Sequence, residues 1–83
     1  MTLVELYSKP GCHLCEVARD VLTHIQQKHP FRLAVIELVE GTAEYEMYNE
    51  RIPVVVIDHE VAFHYRVPEK AFLARLAEAE RKQ

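Results

Sequence analysis

Two cysteines, Cys12 and Cys15, are the residues of this 83-residue chain best suited to chemistry. They are three positions apart, so on a helix their side chains would share one face. Two thiols at this spacing can close a disulfide with each other, and a thiolate is the nucleophile in thiol–disulfide exchange. The pair therefore predicts a nucleophilic cysteine and a resolving cysteine. The loop between them is too short for a disulfide between them to stabilise the fold appreciably.

The elements around the pair predict which cysteine attacks. An apolar run at residues 3–6 precedes it, and apolar residues at helical spacing follow it: Leu14, Val17, Ala18, Val21, Leu22 and Ile25. A strand should therefore end, a loop turn and a helix begin at Cys12. The first helical turn has unpaired N–H groups and the positive end of the dipole, which stabilise a thiolate. The thiolate of Cys12 should gain most of this stabilisation, because Cys15 lies one turn further into the helix.

The segment Tyr7–Cys15, Tyr-Ser-Lys-Pro-Gly-Cys-His-Leu-Cys, resembles the active-site segment of glutaredoxins in the thioredoxin superfamily. The resemblance is closest to the small glutaredoxin-like proteins. It implies that Cys12 and Cys15 are catalytic and that Lys9 helps to stabilise the Cys12 thiolate and meets a substrate carboxylate. A solvated loop lysine is the alternative. His13 and Leu14 replace the usual Pro-Tyr. His13 either tunes the Cys12 thiolate or only occupies an exposed position.

Composition restricts the function. Ten basic and thirteen acidic residues give a net charge of −3, with no basic run typical of nucleic-acid binding. No apolar stretch approaches the roughly 18 residues of a membrane span, and the N-terminus lacks the basic region of a signal peptide. We therefore expect a monomer in the cytoplasm, where thiols are kept reduced, with neither nucleic acid nor membrane as partner.

The patterning predicts an α/β fold in the order β-α-β-α-β-β-α, a single domain over residues 1–83. Apolar residues on both faces of the second strand indicate a sheet covered on both sides. The resemblance implies the minimal thioredoxin fold of glutaredoxins: a four-stranded mixed sheet flanked by three helices, with the last two strands antiparallel to the first two. The last helix should have Pro68 at its first position, a buried stripe that includes Ala77, and a frayed end over residues 78–83. The predicted strands are Thr2–Tyr7, Phe31–Val39, Ile52–Ile57 and Glu60–Tyr65, the last two joined by a two-residue turn at Asp58-His59. The first two helices are Cys12–Lys28 and Gly41–Glu50, and the second has Thr42 as its candidate N-cap and Asn49 suited to its end.

Proline at position 53 is tolerable as the start of a strand. The resemblance implies more: Ile52–Pro53 would be the cis-peptide that faces the cysteines, and Ile52 would offer its backbone to a bound disulfide peptide. A Gly-Gly pair followed by Asp, which holds glutathione in glutaredoxins, is replaced here by residues 63–68. Glu69 is a nearby carboxylate, more simply explained as a residue that compensates the helix dipole. Glutathione binding is therefore an open question.

A zinc site within the chain is a poor interpretation of the histidines. Cys12, Cys15, His24 and His29 combine a C-x2-C with an H-x4-H, but zinc fingers need roughly twelve residues between the pairs and this chain has eight. His24 would also lie about 18 Å along the helix from Cys12. A metal centre shared between two chains through Cys12 stays open.

Two functions follow. The first is a small thiol–disulfide oxidoreductase that acts on disulfide-containing proteins or glutathione, with no bound cofactor and with glutathione or another thiol as co-substrate. The second is a thioredoxin-fold binding module, or a metal or iron–sulfur carrier, with little redox turnover.

Overall fold

The computed structural model describes residues 1–83 and contains four strands and three helices in the predicted order. In chain order they are β1 (Leu3–Ser8), α1 (His13–Lys28), β2 (Arg32–Glu37), α2 (Ala43–Tyr48), β3 (Val54–Ile57), β4 (Glu60–His64) and α3 (Glu69–Arg81).

The strands form one mixed sheet in the order β2-β1-β3-β4, as a minimal thioredoxin fold requires. The β1–β2 pair is parallel, with Leu6 opposite Val35, and the connection runs through α1. β3 is antiparallel to β1, and β4 is antiparallel to β3. The expectation that both late strands oppose the first pair was wrong, because the hairpin turn returns β4 to the direction of β1.

The β3–β4 turn is built by Asp58 and His59, as predicted. Both residues have positive φ, 49° and 68°, the combination that a two-residue type I′ turn requires. Asp and His occur at positive φ more often than most residues with a Cβ. The turn lies at the end of the sheet opposite to the cysteines.

The core lies between the sheet and helices α1 and α3. Its members are buried apolar side chains from β1, β3, α1 and α3, together with Phe31 from the connection between α1 and β2. The rings of Phe31 and Phe72 pack with their centroids 5.4 Å apart. β3 is buried along its whole length, whereas β2 is an edge strand with Val35 44% exposed. The expectation of a sheet covered on both faces therefore fails at β2.

The C-terminal helix is longer and more ordered than predicted. Pro68 is the N-cap, with φ −68° and ψ 124°, so Glu69 rather than Pro68 is the first helical residue. Ala79 is buried where Ala77 was expected. The predicted fraying was wrong, because α3 continues to Arg81 and Gln83 Nε2 donates a 2.9 Å hydrogen bond to the buried Thr2 Oγ1.

Helix α2 is shorter than its predicted range and lies on the surface. Thr42 caps it as expected, accepting a 3.2 Å hydrogen bond from the Tyr45 backbone N–H. None of its residues is buried, and Met47 is 57% exposed. Its position therefore depends on a few contacts at its edges. No helix in the chain has the length and apolar character needed to cross a membrane.

Candidate redox site

A tight turn delivers the chain from β1 to the first cysteine. The segment 9–12, hereafter the redox loop, has proline at its second position and glycine at its third. Gly11 has φ +75°, and the Cys12 N–H donates to the Lys9 carbonyl at 3.3 Å. This is a type II turn, for which the Pro-Gly pair is the preferred sequence. The local sequence thus fixes where Cys12 leaves the sheet.

Cys12 is the N-cap of α1. Its backbone is extended, with φ −86° and ψ 106°, and its Sγ accepts a 3.2 Å hydrogen bond from the Cys15 backbone N–H. The thiol group replaces the hydroxyl or carboxylate oxygen that usually satisfies this donor. Negative charge on the Cys12 sulfur would therefore meet both a backbone donor and the positive end of the helix dipole. The side chain is partly exposed and accessible to a partner.

Cys15 lies one turn further in and is 4% exposed. Burial raises the pKa of the Cys15 thiol to about 11, and a hydrogen bond with the Cys12 side chain adds to the rise. A backbone hydrogen bond from Lys9 acts in the opposite direction and lowers the pKa of Cys15. Both cysteines are free thiols in this structure. The pair thus combines an accessible sulfur with a buried thiol that retains its proton.

The Ile52–Pro53 peptide lies at the same end of the sheet as the redox loop. Tyr7 is opposite Val54 in the β1–β3 register. Pro53, one residue before Val54, therefore lies beside the segment that leads from β1 into the redox loop. The peptide bond is cis, as predicted. Pro53 is buried and Ile52 is half-buried, and the Pro53 carbonyl accepts a 2.8 Å hydrogen bond from the Tyr65 N–H.

The two other predicted site residues, Lys9 and His13, differ in how firmly their side chains are held. The Lys9 ammonium donates a 2.6 Å hydrogen bond to Asn49 Oδ1 and lies 5.3 Å from the centroid of the Tyr45 ring. The His13 side chain is 84% exposed, and its Nδ1 is 3.9 Å from Glu16 Oε2. A contact this exposed contributes little, even with a protonated imidazole. Lys9 is therefore held by the protein, whereas His13 is largely solvated.

Two depressions flank the start of α1. One has a volume of about 320 Å3 and is lined by both cysteines together with charged side chains such as Arg19 and Glu37. The other, about 510 Å3, is an apolar groove between α1 and the segment after β4, lined by Leu14, Val17 and Tyr65 among others. Leu14 and Val17 are 47% and 44% exposed, so the expected apolar face of α1 is only partly covered. The chain contains no group of three or more His, Cys, Asp or Glu side chains arranged to hold a metal ion.

Sequence reasoning missed two residues near the site. Asn49 was expected only to end α2, yet its side chain accepts the hydrogen bond from Lys9, forty residues away. Tyr65 has φ +68°, and its hydroxyl donates to the Glu50 carbonyl at 3.3 Å. Both contacts depend on tertiary structure, and no local pattern indicates either one.

Comparison with known proteins agrees with this geometry. The family model described as Glutaredoxin-like domain (DUF836) matches residues 3–77. A curated relative from Dictyostelium discoideum, "Glutaredoxin-like protein YDR286C homolog", is 24% identical over 72 residues, which is 80% of this chain and 67% of that protein.

Solved structures show the same fold. Protein Ne2328 from Nitrosomonas europaea, solved by NMR, is 30% identical with a TM-score of 0.80, over 90% of this chain and 91% of that one. Protein XcR50 from X. campestris, a crystal structure, is 21% identical with a TM-score of 0.72, over 90% and 96% of the two chains. Thioredoxin 1 from Thermosipho africanus, 14% identical with a TM-score of 0.61, covers 96% of this chain and 94% of its own.

The fold and the cysteine pair at the start of α1 define a small α/β protein with the thioredoxin fold. Since the family model covers residues 3–77 of 83, the chain belongs to the glutaredoxin-like domain family.

Proposed function

We propose that the protein is a thiol–disulfide oxidoreductase that cycles between a Cys12/Cys15 dithiol and a Cys12–Cys15 disulfide. One observation carries the proposal: the accessible Cys12 sulfur caps α1 and accepts the Cys15 N–H at 3.2 Å. This donor and the helix dipole stabilise the Cys12 thiolate that thiol–disulfide exchange needs. The Cys15 thiol, one turn away, keeps its proton.

In the first half of the cycle, the Cys12 thiolate attacks one sulfur of a substrate disulfide. A bond forms between Cys12 Sγ and that sulfur, the substrate S–S bond breaks, and the second substrate sulfur leaves as a thiolate that takes a proton from water. Ile52 offers backbone groups to the bound peptide beside Pro53, which lies at the same end of the sheet. His13 acts as a minor tuning group at most, because it is mainly solvated.

In the second half, Cys15 loses its proton and attacks Cys12 Sγ. The mixed disulfide breaks, the remaining substrate sulfur leaves and is protonated, and the Cys12–Cys15 disulfide forms. The substrate has gained two electrons and the protein has lost two. The pKa of about 11 for Cys15, caused mainly by burial, keeps this cysteine from competing as the first nucleophile.

An external thiol then restores the dithiol form. Two glutathione molecules, or one dithiol donor, supply the two electrons and become oxidised in turn. The cycle needs no bound cofactor, and its partners are disulfide-containing proteins or glutathione. The reducing cytoplasm is the compartment in which such a cycle would run.

Titration of the purified protein against glutathione redox buffers tests the proposal. Samples are quenched with acid, alkylated and weighed intact, so that dithiol, disulfide and glutathione adduct are counted separately. We expect a two-electron transition between dithiol and Cys12–Cys15 disulfide, absent from Cys12→Ser. A protein that stays dithiol throughout, or purifies with metal at half-stoichiometry or more, would overturn the assignment in favour of a binding or metal-carrying module.

A further inference from the structure

Lys9 has an unusual position, because its backbone and its side chain contact different parts of the site. Its carbonyl accepts the Cys12 N–H at 3.3 Å, and its backbone lowers the pKa of the Cys15 thiol. Its ammonium reaches in the other direction, to Asn49 Oδ1 at 2.6 Å. One residue therefore connects both cysteines to the end of α2.

The α2 side of this contact has little else to hold it. Helix α2 contributes no buried residue to the core. Besides the Lys9 contacts, the ring of Tyr48 lies 5.0 Å from that of Tyr7 on β1. The hydrogen bond from Lys9 and the placement of its ammonium over the Tyr45 ring add a polar and a cation–π contact at the same edge. Removing them would leave α2 and the residues just after it held mainly by this aromatic pair and by the hydrogen bond from the Tyr65 hydroxyl to the Glu50 carbonyl.

The position of α2 matters because the chain passes directly from it to the Ile52–Pro53 peptide. Asn49 is the C-cap of α2, and its N–H donates to the Tyr45 carbonyl at 2.9 Å. Three residues later the chain reaches Ile52. A shift of Asn49 relative to Lys9 would therefore move the proposed substrate platform relative to the redox loop.

We propose that Lys9 is a positioning residue whose ammonium, bound to Asn49, fixes the redox loop against the α2 end and the Ile52–Pro53 peptide, and that it is not the binding group for a substrate carboxylate. This inference rests on the proposed redox function. We call the Lys9–Asn49–Tyr45 contact the lysine clamp.

The clamp and the carboxylate-binding role differ in how they depend on Asn49 and on substrate charge. If Lys9 acts through Asn49, Lys9→Met and Asn49→Ala should have the same effect, and the double variant should be no worse than either single one. The effect should also be equal for neutral and anionic disulfides. If Lys9 binds a carboxylate, only the anionic substrate should suffer and Asn49 should be dispensable.

The experiment measures both halves of the cycle by rapid quench with 2-hydroxyethyl disulfide, which is neutral, and with oxidised glutathione, which is anionic. We expect Lys9→Met, Asn49→Ala and the double variant each to slow disulfide formation by Cys15 about threefold to tenfold with both substrates. Asn49→Asp keeps the acceptor oxygen and should retain the wild-type rate. Lys28→Met, at the far end of α1, is the matched control for loss of a lysine.

A second readout separates the clamp from the redox proposal. In a Cys12→Ser background no cycle can occur, yet a loosened redox loop should expose Cys15, so Lys9→Met and Asn49→Ala should both speed its alkylation by iodoacetamide. Far-ultraviolet circular dichroism verifies that each variant is folded. Additive losses, a loss confined to oxidised glutathione, or unchanged Cys15 alkylation would each overturn the clamp, whereas absent turnover in the wild-type protein would overturn the redox function instead.

Discussion

Cys12 and Cys15 are the same residue type one helical turn apart, yet their surroundings differ in almost every respect. Cys12 is partly exposed at the N-cap and accepts a backbone N–H through its sulfur. Cys15 is 4% exposed, and burial raises the pKa of its thiol to about 11. In the proposed redox cycle, position along the first turn, rather than residue type, would therefore separate the nucleophile from the resolving thiol.

The same turn explains how the two roles are coupled. The Cys15 N–H donates to Cys12 Sγ, and the hydrogen bond between the two side chains raises the pKa of Cys15 further. When Cys12 is part of a mixed disulfide, its sulfur cannot ionise, so the electrostatic contribution of Cys12 to the raised Cys15 pKa is absent. The resolving thiol should therefore become easier to deprotonate at the stage when it has to attack.

The largest expected contrast between the two cysteines is in alkylation. At pH 8 a thiol of pKa about 11 is only about 0.1% thiolate, against roughly a quarter for an unperturbed thiol of pKa about 8.5. We expect iodoacetamide to modify Cys15 in the folded protein about a hundredfold more slowly than in guanidinium-unfolded protein. Peptide mass spectrometry of quenched samples gives the rate at each cysteine.

The pH profile sharpens this contrast. Because the Cys15 pKa is raised, its alkylation rate should climb about tenfold per pH unit until the pH approaches 11. The unfolded protein is the control, since burial no longer distinguishes its cysteines. Equal rates at Cys12 and Cys15 in the folded state at pH 8 would contradict the division of roles.

A smaller contrast is expected in stability. Cys12→Ala removes the acceptor that caps α1 and should lower the free energy of unfolding by about 1 kcal/mol. For a domain of this size that corresponds to a fall in Tm of roughly 4–8 °C. Urea denaturation followed by circular dichroism measures the change.

Cys12→Ser is the matched control for the cap, because its hydroxyl can accept the same backbone hydrogen bond while the thiol chemistry is lost. It should be at least as stable as the wild-type protein. If Cys12→Ala and Cys12→Ser were equally stable, the Cys12 sulfur would not be acting as a cap.

The strand–loop–helix arrangement around the cysteines could be predicted from sequence because its signals are local. The Pro10-Gly11 pair specifies the turn, and the apolar spacing after Cys12 specifies α1. The hairpin at Asp58-His59 was also predicted, since its turn residues tolerate positive φ. In each case the residues that define the element are neighbours in the chain.

The errors arise where distant parts of the chain meet. Local polarity suggested that residues 78–83 fray, but Gln83 reaches Thr2 across the molecule. The pattern of β2 suggested two covered faces, but β2 is the sheet edge and Val35 stays exposed. The partner of Lys9 could not be predicted for the same reason, because Asn49 is forty residues away.

Trapping of a mixed disulfide identifies which cysteine is the nucleophile. Reduced Cys12→Ser and Cys15→Ser proteins are exposed to 2-hydroxyethyl disulfide at pH 7, quenched with acid and weighed intact. We expect a stable adduct on Cys12 in the Cys15→Ser protein and almost none on Cys15 in the Cys12→Ser protein. A faster adduct on Cys15 than on Cys12 would contradict the assignment of Cys12 as the nucleophile.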